Sequence, residues 1–155
     1  MGKRADTVLI LAIVDDQIII LSEQQPGKPK EYTLPGGRVD LSDHSWLDAA
    51  KREMREETGM EFKSWRLIEV TQPTAKLEWF CPIYLAYNKS TESDRHLDGG
   101  EKISVKRVSV SGLKSLIYNE GRSGLGHLSV LFETINTISD LQHLPEFVGV
   151  DVTLD

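Results

Sequence analysis

This sequence has little cysteine and no excess of positive charge. Cys81 is the only cysteine in 155 residues, so no disulfide can form within the chain. That favours a reducing compartment, and we expect the protein in the cytoplasm. The 18 basic residues are outnumbered by 24 acidic ones, giving a formal net charge of −6. Because nucleic acids and anionic membranes are bound through basic patches, we expect neither as a partner.

The sequence also lacks a hydrophobic run of the roughly 20 residues that span a bilayer. Its first apolar run, Val8–Val14, follows Lys3 and Arg4 as in a signal peptide, but no small-residue cleavage site follows. Instead, Asp15 and Asp16 separate it from a second apolar run. Two such runs around a polar turn predict a β-hairpin over residues 7–22.

The length matches one ordinary domain, and we find no repeats, low-complexity tracts or linker, so residues 1–155 are predicted to form a single domain. A polar loop is expected over 89–100. Hydrophobic periodicity and turn residues predict further strands at 32–34, 65–72, 78–87, 103–110 and 148–152, and helices at 45–58, 111–117 and 127–138. This order predicts an α+β sandwich: a mixed, mostly antiparallel sheet with one early helix and two C-terminal helices.

The helix at 45–58 has the clearest boundaries. Ser45 and Asp48 have the spacing of a capping box, apolar residues recur at helical intervals, and Gly59 stands where a left-handed C-terminal cap belongs. We therefore expect this helix to begin at Ser45 and to end at Thr58.

Three glutamates fall on one face of this helix. Glu53, Glu56 and Glu57 are related by i, i+3 and i+4. Glu53 and Glu57 repel each other, which weakens the helix by roughly 0.2–0.5 kcal/mol. Converging carboxylate oxygens suit a hard cation such as Mg²⁺ or Mn²⁺. Taken alone, the three could equally form a solvated acidic face.

The surroundings of the glutamates favour the metal site. Gly36 and Gly37 end a short strand just before the helix, and glycines let the backbone approach a ligand closely. Their carbonyls can complete the oxygen shell of a cation. Arg52 stands beside the cluster, four residues before Glu56, where it can orient a carboxylate.

This combination resembles the Nudix box, GX5EX7REUXEEXGU, in which U is aliphatic. The stretch Arg52–Met60 matches every specified position of its second half. In the first half, the position of the family's glutamate falls on Asp43 counting from Gly37 and on His44 counting from Arg52. One additional loop residue, with Asp43 in place of glutamate, reconciles the two counts. In the family this acidic residue mainly supports the loop.

The resemblance implies a Nudix-type α/β/α sandwich and metal-dependent hydrolysis of a nucleoside diphosphate linked to another moiety. Mg²⁺ is the expected cofactor, with Mn²⁺ as the alternative. Glu53, Glu56 and Glu57, with a carbonyl from Gly36 or Gly37, form the implied metal shell. Arg52 is expected to act with them.

Segments outside the box are similar to the ADP-ribose pyrophosphatase branch. They include Glu23-Gln24, the approach to Gly36-Gly37, Pro73, and the Glu101–Val105 stretch. By this similarity Glu101 would be the general base or a further metal ligand, with Glu57 as the competing base. Arg38 could contact a substrate phosphate. The N-terminal strands that many of these enzymes exchange between subunits are not recognisable here, so a homodimer is left open.

Three alternatives remain at this stage. Within the family, the protein could hydrolyse oxidised nucleoside triphosphates and release pyrophosphate instead of AMP. From a different class, a degenerate Nudix module could bind nucleotide as a sensor without cleaving it. A purely structural role would leave the spacing of glycines and glutamates unexplained.

The aromatic residues Tyr32, Trp46, Trp79 and Phe80 could stack on a base, but packing is the expected role of each.

Overall fold

The computed structural model describes residues 2–96, 102–119 and 124–148. The strands in this part of the chain are β1 (Gly2–Lys3), β2 (Thr7–Val14), β3 (Gln17–Glu23), β4 (Glu31–Thr33), β5 (Gly36–Arg38), β6 (Met60–Thr71), β7 (Leu77–Glu78), β8 (Cys81–Glu92) and β9 (Ile103–Val108). The α-helices are α1 (Trp46–Thr58), α2 (Val110–Asn119) and α3 (Ile138–Gln142). No helix of the described residues is long and apolar enough to cross a bilayer.

The predicted N-terminal hairpin is confirmed, and its opening shapes the sheet. Asp15 and Asp16 form its two-residue turn with φ values of 51° and 60°, the left-handed conformation that tight hairpins require. Strands β2 and β3 pair only beside this turn and then diverge. β5 pairs with the start of β2, and β4 pairs with the end of β3. The gap in the hairpin is therefore where Gly36 and Gly37 are held.

The large sheet is mixed and mostly antiparallel, as predicted. Its central path runs β4-β3-β2-β8-β6, and β9 pairs antiparallel with β3. Only the pairing of β2 with β8 is parallel within this sheet, and Leu9 is matched with Ile83 in that register. A separate two-stranded parallel ribbon joins β1 and β7.

The alternation of side chains along β2 supplies two cores, one on each face of the sheet. Ile10 and Ala12 pack towards α1, with Met54 of that helix. Leu11 and Ile13 pack on the opposite face, beneath α2 and the segment after it. Helices therefore cover both faces, which confirms the α/β/α sandwich.

The predicted helix at 127–138 is wrong. The structure has 3₁₀ turns at Gly126–Leu128 and Leu131–Glu133, and α3 begins only at Ile138. The carboxylate of Asp140 accepts the backbone N–H groups of Asn136 and Thr137. These bonds cap the start of α3, so a new helix begins where the predicted helix would end.

Strand boundaries also differ from the sequence prediction: β6 begins at Met60 instead of 65, and β8 begins at Cys81 instead of 78. Residues 89–92 belong to β8 instead of a loop, because they pair with the start of β6 directly after Gly59. Of the predicted last strand at 148–152, Val148 is outside any strand and the other residues lie outside the described residues.

Candidate active site

Helix α1 is fixed at both ends, which sets the direction in which its glutamates point. The Ser45 hydroxyl accepts the backbone N–H of Asp48 at 3.0 Å. Gly59 adopts the left-handed conformation (φ 76°) and donates its N–H to the Arg55 carbonyl. The fully buried Met54 anchors the inner face in the core. The start, end and left-handed cap of this helix are as predicted.

Arg52 is the centre of the polar network on this helix. Its Nε and Nη2 atoms donate to the two carboxylate oxygens of Asp43, at 3.0 and 2.9 Å. Its Nη1 atom donates to Glu53 at 3.0 Å and to Glu56 at 3.2 Å. Nη2 also reaches the Arg38 carbonyl at 3.0 Å. One guanidinium thus joins the loop, the strand β5 and the acidic face.

Asp43 is buried against this guanidinium, with a side chain only 6% exposed. The hydrogen bonds from Arg52 hold the pKa of the Asp43 carboxyl below its usual value. Asp43 also accepts the backbone N–H of Asp40 at 2.8 Å, which closes the loop before α1. The sequence comparison placed Asp43 as a loop residue but did not predict its pairing with Arg52. The altered spacing between Gly37 and Arg52 was the feature of the sequence that could have indicated this pairing.

Gly36 and Gly37 lie directly against two of the glutamates. The N–H of Gly36 donates to Glu57 Oε1 at 2.8 Å. A Cβ atom on Gly37 would stand 2.6 Å from the carboxyl carbon of Glu53, which is too close for any other residue unless Glu53 moved. Gly36 has a φ of +156°, and a Cβ there would collide with the Val8 carbonyl. Glycine at position 37 lets the strand approach the acidic face, and glycine at position 36 lets it lie against Val8 of β2.

The carboxylate of Glu53 is less solvated than that of Glu56. Burial raises the pKa of Glu53, and the adjacent Arg52 only partly offsets this. Its side chain is 15% exposed, whereas that of Glu56 is 43% exposed. A second cation beside Glu53 would therefore be stabilising, and Glu56 has room to turn towards it.

The donor set fits a hard cation in its chemistry, although the side chains do not yet enclose one. Among the described residues, no three His, Cys, Asp or Glu side chains are already grouped as metal ligands. Arg52 Nη1 bridges Glu53 and Glu56, and Glu57 is turned to the Gly36 N–H. Metal binding through these carboxylates would need rotation of their side chains, with the backbone in place.

The remaining candidates are placed less centrally. The Arg38 side chain is exposed, and it is the Arg38 carbonyl that contacts Arg52. Glu101 lies outside the described residues. The aromatic residues pack as expected: Trp46 is buried and donates to Asp6, and Trp79 stacks with the Arg4 guanidinium, 3.9 Å from its ring centroid.

A sequence profile described as the NUDIX domain matches residues 3–125, which is most of the chain. The chain belongs to the Nudix family. The assignment suggested by Arg52–Met60 is thereby confirmed. Nudix hydrolases act on small nucleotide substrates and generally use divalent metal ions. No protein of curated function matches the chain by sequence.

Solved structures share the Nudix fold at low sequence identity. An ADP compounds hydrolase is 23% identical with a TM-score of 0.65, over 76% of this chain and 64% of that one. A Nudix hydrolase from Nitrosomonas europaea is 19% identical (TM-score 0.63; 90% and 96% covered). The MutT Nudix hydrolase from Burkholderia pseudomallei is 20% identical (TM-score 0.56; 72% and 87% covered). This chain thus spans about 64% of the length of the ADP compounds hydrolase.

Proposed function

We propose that this Nudix protein hydrolyses the diphosphate bond of a nucleoside diphosphate linked to another moiety. ADP-ribose or a nucleotide sugar is the preferred substrate class, and the products would be AMP and a sugar phosphate. One observation carries this proposal: Arg52 bridges Glu53 and Glu56, and the two glycines of β5 lie against Glu53 and Glu57 of the same helix.

The residues that would hold the metal are Glu53, Glu56 and Glu57, with the carbonyl of Gly37. Mg²⁺ is the proposed ion and Mn²⁺ the alternative. When bound, such an ion neutralises phosphate oxygens and lowers the pKa of a coordinated water. Glu101 is retained as a further ligand only on the family resemblance.

The protein's own groups would prepare this site before substrate arrives. Arg52 holds Glu53 and Glu56 next to each other through its Nη1 atom, so a rotation of these side chains, without movement of the backbone, would bring them to a shared cation. Glu57 is held against β5 through the Gly36 N–H and is one candidate for the general base. Glu101 is the other, and Arg38 remains a candidate for a phosphate contact.

Charge supports the dependence on metal. A diphosphate is an anion, and both the acidic face and the net charge of −6 repel it. Substrate would therefore bind productively only with cations between it and the glutamates. A sensor that merely binds nucleotide would gain nothing from holding the mutually repelling Glu53 and Glu56 together.

The ADP compounds hydrolase supports the substrate class only through its shared fold. MutT proteins share that fold too, so a hydrolase of nucleoside triphosphates is the second candidate. Cytoplasmic location and a single domain over residues 1–155 remain part of this proposal, and a homodimer stays open.

Product analysis tests the function directly. The purified protein is incubated with Mg²⁺ and with ADP-ribose, nucleotide sugars or nucleoside triphosphates, and the products are separated by chromatography. We expect AMP and a sugar phosphate from the diphosphate compounds. Pyrophosphate released from triphosphates alone would favour the second candidate, and turnover of none of them would favour the sensor.

A further inference from the structure

A cleft of about 650 Å³ opens where the loop after β3 faces the start of β9. Three cationic side chains line it, Lys30, Arg95 and Lys102, and all three are exposed to solvent. Its other described lining residues are uncharged, and Gln24 and Ser104 are among them. In a protein of net charge −6, this concentration of positive charge, with no carboxylate among the described lining residues, favours an anionic ligand.

The described acidic residues around the cleft line other depressions, and the one lined by Glu92 and Asp94 shares Arg95 and Ser104 with the cleft. Glu23 and Glu31 line a neighbouring pocket together with Lys28, on the same loop. Lys28 therefore faces two carboxylates, whereas Lys30, two positions further on, faces the basic cleft. The loop therefore contributes Lys30 to the basic cleft and Lys28 to the neighbouring pocket that contains the carboxylates.

The cleft is tied by the backbone to the acidic helix. The N–H of His96 donates to the Glu56 carbonyl at 2.9 Å, and the N–H of Ser93 donates to the Gly59 carbonyl at 2.7 Å. Arg95 lies between Ser93 and His96 in the sequence, and its Nη1 atom donates to the Ile103 carbonyl at 2.8 Å. Arg95 of the cleft is thus followed directly by a residue that bonds to the helix carrying the glutamates.

We propose that this cleft binds a phosphate group of the substrate that lies beyond the diphosphate being cleaved. This inference rests on the proposed function and narrows it to nucleoside diphosphate compounds that carry an additional phosphate. Lys and Arg with amide and hydroxyl donors form charge-assisted hydrogen bonds to phosphate oxygens. The glutamates would hold the cleaved diphosphate through cations, and the cleft would hold the additional phosphate directly.

The first experiment measures anion binding without catalysis. Inorganic phosphate is titrated into the chelator-treated protein while backbone amide signals are followed by NMR. We expect shifts around Lys30, Arg95 and Lys102 that weaken as salt is added. Lys30→Glu and Lys102→Glu should each weaken binding about tenfold. Lys28→Glu is the matched control, since it changes the net charge equally in the neighbouring pocket, and it should bind like the wild type.

Equal weakening by Lys28→Glu would overturn the proposal, because it would show attraction to the whole surface only. Absence of shifts in the cleft would also overturn it. Circular dichroism of each variant verifies that the fold is retained. Arg95 is left unaltered because it holds the start of β9.

The second experiment assigns the phosphate to the substrate. ADP-ribose and ADP-ribose 2′-phosphate are compared in the presence of Mg²⁺. Lys30→Glu should raise KM about tenfold for the 2′-phosphate compound only, with kcat unchanged. An equal effect on both compounds, or phosphate binding without any preference between them, would overturn the substrate assignment. Hydrolysis of neither compound, with phosphate binding intact, would refute the proposed function and leave a free-anion site.

Discussion

At the scale of single residues, the site depends on one guanidinium. Arg52 contacts five oxygen atoms, belonging to Asp43, Glu53, Glu56 and the Arg38 carbonyl. A lysine has three donors on one atom and could not reproduce this planar fork. We therefore propose Arg52 as a positioning residue, which would act on the chemistry through the carboxylates.

The glutamates themselves should be required for turnover. We expect Glu56→Gln or Glu57→Gln to lower kcat by about two orders of magnitude, because an amide is a poor ligand for Mg²⁺ and a poor base. Steady-state kinetics measure this, and thermal unfolding verifies the fold. Glu61→Gln is the control, since Glu61 is exposed and pairs with Arg55 away from β5. Wild-type rates in either site variant would refute the assignment.

Asp43 should give a pH-dependent contribution to stability. Its pKa is lowered in the folded protein by Arg52, so its stabilising effect is present above the unfolded pKa of about 4 and is lost as pH falls through the folded value. Asp43→Asn should therefore lower the free energy of unfolding by about 2 kcal/mol at pH 7. Urea titrations at several pH values should show this difference shrinking below about pH 4. A difference that stays constant with pH would rule out the ion pair as its source.

At the scale of secondary structure, β5 and α1 approach each other through Gly37. Gly37→Ala would place a methyl group against the Glu53 carboxylate, the end of a side chain that can move aside. We expect activity to fall more than about tenfold with little loss of stability, since 1 Å displacements can cost this much. Gly126→Ala is the matched control, because its Cβ would meet no atom within 4 Å. Kinetics and melting temperatures of the two variants are compared, and equal kinetics would contradict this role.

Local signals predicted the elements with well-marked ends. The Asp15-Asp16 turn and the caps of α1 are local interactions, and both were placed correctly. The extension of β8 to Glu92 arises from pairing with β6, a long-range contact that the polar sequence did not indicate. The 127–138 helix failed because Asp140 caps the backbone at Asn136 and Thr137.

The candidate site was predictable in its members but not in its contacts. Helical spacing alone brings Glu53, Glu56 and Glu57 to one face. The sequence did not show which glycine each glutamate contacts: Glu53 lies against Gly37, and Glu57 accepts the N–H of Gly36. These contacts depend on the opening of the β2–β3 hairpin, which nothing in the local sequence encodes.

At the scale of the whole molecule, acidity should make activity depend entirely on divalent ions. Removal of metal with excess chelator should abolish hydrolysis, because the acidic face then repels the substrate. Re-addition of Mg²⁺ or Mn²⁺ should restore hydrolysis. Activity is measured before and after re-addition, with circular dichroism to show that the fold persists. Undiminished turnover in chelator would contradict the mechanism.

The parallel pairing of β2 with β8 also governs how the chain can be synthesised. Leu9 meets Ile83 only after much of the sequence has left the ribosome, and until then one edge of the apolar strand β2 is open. Long-range pairing of this kind is slow and exposes nascent chains to aggregation. Strand β2 is therefore open to non-native pairing until β8 has been synthesised.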